Sequence, residues 1–248
     1  LELAQEIDKV ARKIGIKAKI HLKLDTGMSR LGYVVLDDKL DEIADEIKHI
    51  SQFEGIILEG MYTHFATADA RNKEFENLQT HRFSEMVKAM GVNIEYIHCS
   101  NSAEILDCDE KYDMVRPGII QYGIYPSNEV SYSIDIKPVM TFKAKVSNVK
   151  VLDAGTSISY GRVYFTTVKE KIISIAAGYA DGFLRGRRNP YVYINGVKCS
   201  IVGRICMDQC MVRVPMDMDV KVNDDVVIFG DDLVSVDDVA RGCDTIAH

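Results

Sequence analysis

Ala18-Lys-Ile-His-Leu-Lys-Leu-Asp25 alternates aliphatic and polar residues, then runs into Thr26-Gly-Met-Ser-Arg30-Leu-Gly32, where two glycines mark a turn. Ala18, Ile20, Leu22 and Leu24 share one face of this strand, and His21 and Lys23 share the other. A strand covered by helices on both sides should be apolar on both faces. A polar second face suits instead the lumen of a (β/α)8 barrel, whose active site gathers at the carboxyl ends of the strands. The barrel is therefore favoured over an open doubly wound sheet.

The flanking sequence extends this pattern. Upstream, Leu3, Ile7, Val10 and Ile14 repeat at helical spacing, with Gly15 as a stop. Downstream come a helix through Leu40, Ile43, Ile47 and Ile50, a strand over 56–64, and a long helix through Phe75, Leu78, Phe83, Met86, Val87 and Met90 ended by Gly91. A strand over 94–98, a brief helix to Leu106 with Ser100 as candidate cap, and a strand over 114–116 leading into Gly118 complete about four βα units. Beyond residue 131 the runs become short and β-rich, at 139–151, 172–176, 191–194 and 226–229, with turn signals at Asn195-Gly196 and Gly230-Asp231. The expected class is α/β: residues 1–131 as the C-terminal part of a TIM barrel, then residues 132–248 as a mainly β domain.

The 248 residues are 47% hydrophobic and 27% charged, as in a globular protein with a packed core. A net charge of −7 argues against a nucleic-acid surface and favours small-molecule chemistry. The six cysteines form no Cys-x-x-Cys pair and read as scattered thiols of a reducing, cytoplasmic setting. No apolar run approaches the ~20 residues of a membrane span, so no membrane contact is expected of this segment, which could equally be the cytoplasmic domain of a longer membrane protein. The opening Leu1-Glu-Leu-Ala4 resembles neither an initiator nor a signal peptide.

Several segments have the residue types for chemistry. Asp25-Thr-Gly27 would suit an aspartic protease, but flanking amphipathic helices and the lack of a second copy argue against it. Tyr62-Thr-His64-Phe-Ala66 sets a histidine at a strand end, where barrel enzymes keep catalytic groups, although a core histidine would look the same. His98-Cys-Ser-Asn-Ser102-Ala103 offers hydroxyls and amides at a helix start, for an anion or simply for capping. Val115-Arg-Pro-Gly118 adds a permanent cation and a glycine beside it. In the β domain, Ser157-Ile-Ser-Tyr160-Gly-Arg162, Ala177-Gly-Tyr179-Ala-Asp181-Gly182 and Gly203-Arg-Ile-Cys-Met207-Asp-Gln209 each join glycine to polar or aromatic residues. Arg185, Arg187 and Arg188 read as a hairpin tip, and Asp217, Asp219, Asp224 and Asp225 as a solvated loop. No cysteine or histidine spacing fits a common metal site, so none is expected.

Taken in order, Lys23-x-Asp25-Thr-Gly-Met-x-Arg30-Leu-Gly, Thr63-His-Phe-Ala, Asn101-Ser102, Arg116-Pro-Gly, Ser159-Tyr160-Gly-Arg, Gly178-Tyr-Ala-Asp-Gly and Cys206-Met-Asp-Gln resemble the alanine racemase family across essentially the whole chain. The family's serine/alanine racemase domains share these motifs. The resemblance implies a pyridoxal 5′-phosphate enzyme acting on a small amino acid, supplying D-alanine for peptidoglycan, and working as a homodimer. It implies that Tyr160 is one of two opposed acid/base groups at Cα, with His64 beside it and Arg116 beyond. Arg116 would also face the pyridine nitrogen, supported by His98, while Ser102, Gly118 and Ile119 would hold the phosphate. Arg30 and Met207 would bind the substrate carboxylate, Tyr179 would line the entrance, and Lys23 would be open to carbamylation. Tyr160 and Met207 would enter the site of the second copy.

The family's cofactor-bearing lysine lies in a Lys-Ala-Asn-Ala-Tyr-Gly-like segment that does not occur among these residues. The chain reads as trimmed at both ends, a phosphate-contacting tyrosine being expected beyond residue 248, and these residues alone should not racemise. A non-catalytic binding or dimerisation module is the competing expectation. A decarboxylase on the same architecture would need different acid/base residues.

Overall fold

The computed structural model describes every residue except 37, 109–111, 132–133 and 248. Two compact units divide the chain, residues 1–137 and 138–248. The division expected after residue 131 abuts residues 132 and 133, which lie outside the described ones. No helix among the described residues is long and apolar enough to cross a membrane.

The first unit runs α1 (Glu2–Ile14), β1 (Ala18–Asp25), β2 (Tyr33–Val34), α2 (Leu40–Ile50), β3 (Ile56–Tyr62), α3 (Glu74–Ala89), β4 (Tyr96–His98) and α4 (Ser102–Asp107). Its sheet has the order β2-β1-β3-β4, parallel throughout. Parallel strands joined by crossover helices bring the carboxyl ends of β1, β3 and β4 together on one edge. Leu22 and Leu24 of β1 share one core with Ile43, Ile47 and Ile50 of α2 and Phe83 and Met86 of α3.

The local structure corrects four sequence-based expectations here. The stripe Leu3, Val10 and Ile14 of α1 is exposed, and Ala4, Asp8 and Ala11 are buried instead. The cause is a close approach of backbone: Asp8 Oδ1 accepts the Gly55 N–H at 2.7 Å, and a Cβ on Gly55 would sit 2.7 Å from Asp8 O. On α3, Phe75 and Leu78 are exposed, whereas Glu76 and Gln79 are buried in hydrogen bonds. Residues 114–116 form no strand. Asp113 N and Arg116 N bond Ile97 O and Ser100 O, but Pro117 has no N–H to extend a ladder. Finally, α4 is capped by Asn101, whose Oδ1 accepts from Ala103 N and Glu104 N, and not by Ser100.

The second unit contains β5 (Phe142–Leu152), β6 (Ser157–Ile158), β7 (Tyr164–Phe165), β8 (Glu170–Ile175), β9 (Tyr191–Ile194), β10 (Val197–Val202), β11 (Cys210–Val214), β12 (Asp225–Phe229) and α5 (Val236–Gly242). Six strands close an antiparallel barrel in the order β10-β11-β8-β5-β12-β9. Asn195 and Gly196, at φ 49° and 76°, make the tight β9–β10 hairpin that their sequence announced. Arg187 is not part of an exposed tip. It is buried, donates to Tyr191 O at 3.0 Å and lies over the Tyr191 ring. No disulfide joins the six cysteines among the described residues.

Candidate active site

At the carboxyl edge of the first unit's sheet, Arg116 is the hub. Its Nη1 donates to His98 Nδ1 at 2.5 Å, and its Nη2 donates to Thr63 O at 2.8 Å and Cys99 O at 3.1 Å. His64 Nδ1 lies 3.4 Å from Nη2, and the Tyr62 ring lies 5.1 Å from the guanidinium. Burial, then the charge of Arg116, lowers both His64 and His98 to a pKa of about 4, so both rings are neutral at pH 7.

Lys23 is buried beside this group, only 7% exposed, with Nζ donating to Leu24 O at 2.7 Å and 5.6 Å from the Tyr62 ring. Burial lowers its pKa, with Arg30 and Arg116 adding to the shift and Asp25 opposing it. Asp25 Oδ1 accepts from Gly27 N at 3.0 Å and Ser29 N at 2.9 Å. Burial raises the Asp25 pKa, but these amides and Lys23 outweigh it and leave a net lowering. The triplet thus builds a turn, and Arg30 is presented at its exposed tip.

The turns are locked from below. Thr26 Oγ1 and Thr63 Oγ1 lie 2.7 Å apart, and Gln79 reaches Thr26, His64 O and Ala66 N. Sequence reading missed Gln79 and Tyr62. A polar residue at a buried helical position and an aromatic closing a strand were the available signals. At the start of α4, Ser102 Oγ accepts from Gly118 N at 2.9 Å, which leaves the hydroxyl proton to donate to an anion. Ile119 follows Gly118 in a 3-10 turn. A hydroxyl donor at one end and a cationic donor at the other fit a phosphorylated ring carrying an acceptor.

Within the second unit the three glycine-bearing motifs converge. Tyr179 N bonds Cys206 O at 3.0 Å and Ala180 N bonds Met207 O at 2.8 Å, so Tyr179 and Met207 belong to one surface. Ser159 Oγ donates to Arg204 O at 2.6 Å and ties the Tyr160 turn to the same loop. Ser159, Gly161 and Arg162 all have positive φ, and this tight turn projects Tyr160 outward at 65% exposure.

Residues 1–126 match the family model "Alanine racemase, N-terminal domain" and residues 139–248 match "Alanine racemase, C-terminal domain". Alanine racemase 2 of Caldanaerobacter subterraneus subsp. tengcongensis is 44% identical over 257 residues, covering 100% of this chain and 65% of the relative. The alanine racemase of Methanococcus maripaludis is 44% identical, covering 100% and 68%. Among solved structures, alanine racemase from Clostridium difficile 630 superposes with a TM-score of 0.94 at 44% identity, over 99% of this chain and 64% of that one. One from Bartonella henselae, with covalently bound pyridoxal phosphate, gives 0.82 at 28% identity, over 99% and 66%. The chain thus spans about two thirds of the length of its relatives; its first unit carries four parallel strands of a (β/α)8-barrel architecture and its second the β domain.

Proposed function

This chain belongs to the alanine racemase family, and on that premise we propose that it forms part of a pyridoxal 5′-phosphate enzyme that interconverts L- and D-alanine, with L-serine the alternative substrate, in the cytoplasm for peptidoglycan synthesis. The observation that carries this reading is the setting of Arg116, a half-buried guanidinium with donors fixed by His98, Thr63 and Cys99. Ser102 and the Gly118–Ile119 backbone would hold the phosphate, and Arg116 would face the ring nitrogen. When bound, the cofactor supplies the electron sink that acidifies the amino acid's Cα–H.

The chain's own residues then divide the work. Tyr160 would exchange a proton with Cα on one face, and His64 would assist that exchange. A second acid/base group would serve the other face. Arg30 and the Met207 backbone bind the substrate carboxylate, and Tyr179 lines the entrance. The exposure of Tyr160 and Met207 supports a homodimer in which each copy offers these two residues to the other. Because a guanidinium does not readily surrender a proton, Arg116 would hydrogen-bond the ring nitrogen without protonating it, which would weaken the electron sink and favour return of the proton to Cα. The lowered pKa of Lys23 supports carbamylation: its neutral amine adds to carbon dioxide and releases one proton, giving an anion that orients Arg30.

Incubating the full-length protein with L-alanine and L-serine and following chirality tests the reading. D-alanine should accumulate, Tyr160→Phe should abolish that, and Arg116→Glu should increase transamination. A full-length protein that leaves both amino acids unchanged refutes the proposal.

A further inference from the structure

Arg116 is the inner end of a hydrogen-bonded chain that leads away from the site. His98 accepts from it at Nδ1, His98 Nε2 lies 2.7 Å from His21 Nδ1, and His21 Nε2 lies 3.3 Å from Glu59 Oε2. The other Glu59 oxygen accepts from Lys19 Nζ. Neighbouring strands supply one member each: His98 ends β4, His21 lies in β1 and Glu59 in β3. The fold makes room for the arrangement. A Cβ on Gly60 would fall 2.2 Å from His21 Nδ1, and Tyr62 stacks on His98 with ring centroids 5.0 Å apart.

One arrangement of protons satisfies the whole chain. The guanidinium can only donate, so His98 Nδ1 must accept and the His98 proton sits on Nε2. That proton is given to His21 Nδ1, which places the His21 proton on Nε2, facing the carboxylate. A doubly protonated His21 would leave His98 with no proton on either nitrogen, and a doubly protonated His98 would set N–H against N–H at Arg116. The order dictated by Arg116 at one end is the order dictated by Glu59 at the other.

We propose that His21 and Glu59 are positioning residues for Arg116, fixing the His98 ring and through it the direction of the guanidinium donors. This rests on the reading of Arg116 as the group that faces the bound ring. Long-range 1H–15N spectra of histidine-labelled full-length protein should show His21 and His98 protonated on Nε2 alone at neutral pH. In Glu59→Ala, His21 should become a mixture of tautomers and kcat should fall about three- to tenfold at unchanged KM, the loss of one hydrogen bond's worth of orientation. Glu59→Gln keeps an acceptor oxygen and should restore both. A parent His21 protonated on Nδ1 or on both nitrogens overturns the proposal, as does a Glu59→Ala variant in which either the tautomers or kcat stay unchanged. Tautomers are read without turnover, so an inactive parent with the expected pattern would sink the racemase reading and not the proton arrangement.

Discussion

Replacing Gly178 by alanine should separate the two loops that carry Tyr179 and Met207. The new Cβ would lie 2.3 Å from Met207 O and 2.4 Å from Cys206 O, where ordinary contact begins at 3.4 Å. Both obstacles are backbone atoms, so no side-chain rotation relieves them, and the loops must part by roughly 1 Å. That movement stretches the Tyr179–Cys206 and Ala180–Met207 bonds, now 3.0 and 2.8 Å, out of hydrogen-bonding range. Two such bonds at about 1 kcal/mol each, with about 1–3 kcal/mol of overpacking, give a loss of about 3–5 kcal/mol. At about 4 °C per kcal/mol for a unit of this size, the melting transition should drop by on the order of 10–20 °C. Gly186→Ala is the matched control, because a Cβ there meets nothing within 4 Å and its φ is not positive. It should leave the transition in place or raise it slightly. Calorimetry on the full-length protein reads both. A Gly178→Ala transition within about 2 °C of the parent would refute the reasoning.

Three further outcomes follow from the titrating and capping groups. Burial and the hydrogen bond to Glu76 raise Glu104 to about 8, so the folded chain keeps a proton that the unfolded chain releases near 4.5. Stability should therefore fall as pH rises through that window, and Glu104→Gln should melt higher than the parent at pH 8; a lower melt would count against this. His64 and His98 run the other way. Held at about 4 against an ordinary 6.5, they stay neutral while the unfolded chain takes up protons, so stability is lost as pH falls from 6.5 to 4. His64→Gln should flatten that slope in pH-dependent melts, and an unaltered slope argues against the assignment. Asn101→Ala removes the acceptor for two α4 amides and should cost about 1 kcal/mol in urea unfolding, whereas Asn101→Asp should not; equal midpoints for the two variants would disprove the cap.

Much of the candidate site was legible because its parts are local. A histidine closing a strand, an arginine before Pro-Gly and a glycine-framed tyrosine each announce themselves within a few residues. The misreadings came where burial was inferred from spacing alone. Leu3, Val10 and Ile14 have helical periodicity, yet α1 buries Ala4, Asp8 and Ala11, since the backbone at Gly55 admits only small side chains and one hydrogen-bonded carboxylate. Gln79 was invisible for the opposite reason. A polar residue is buried only when partners from other elements satisfy it, and those lie at Thr26, His64 and Ala66.

Residue order alone thus gave the alternating first strand, the parallel α/β character of the first part, the β character of the second, and the residue types of the site, because periodicity and turn chemistry act over a few bonds. Assembling those residues needed the folded sheet. His98, His21 and Glu59 are 38 to 77 positions apart in their hydrogen-bonded pairs, and only parallel pairing of β1, β3 and β4 sets them in line. Protonation is decided at that level as well, since a ring nitrogen takes its role from the partner it meets, and that partner is fixed by strand register.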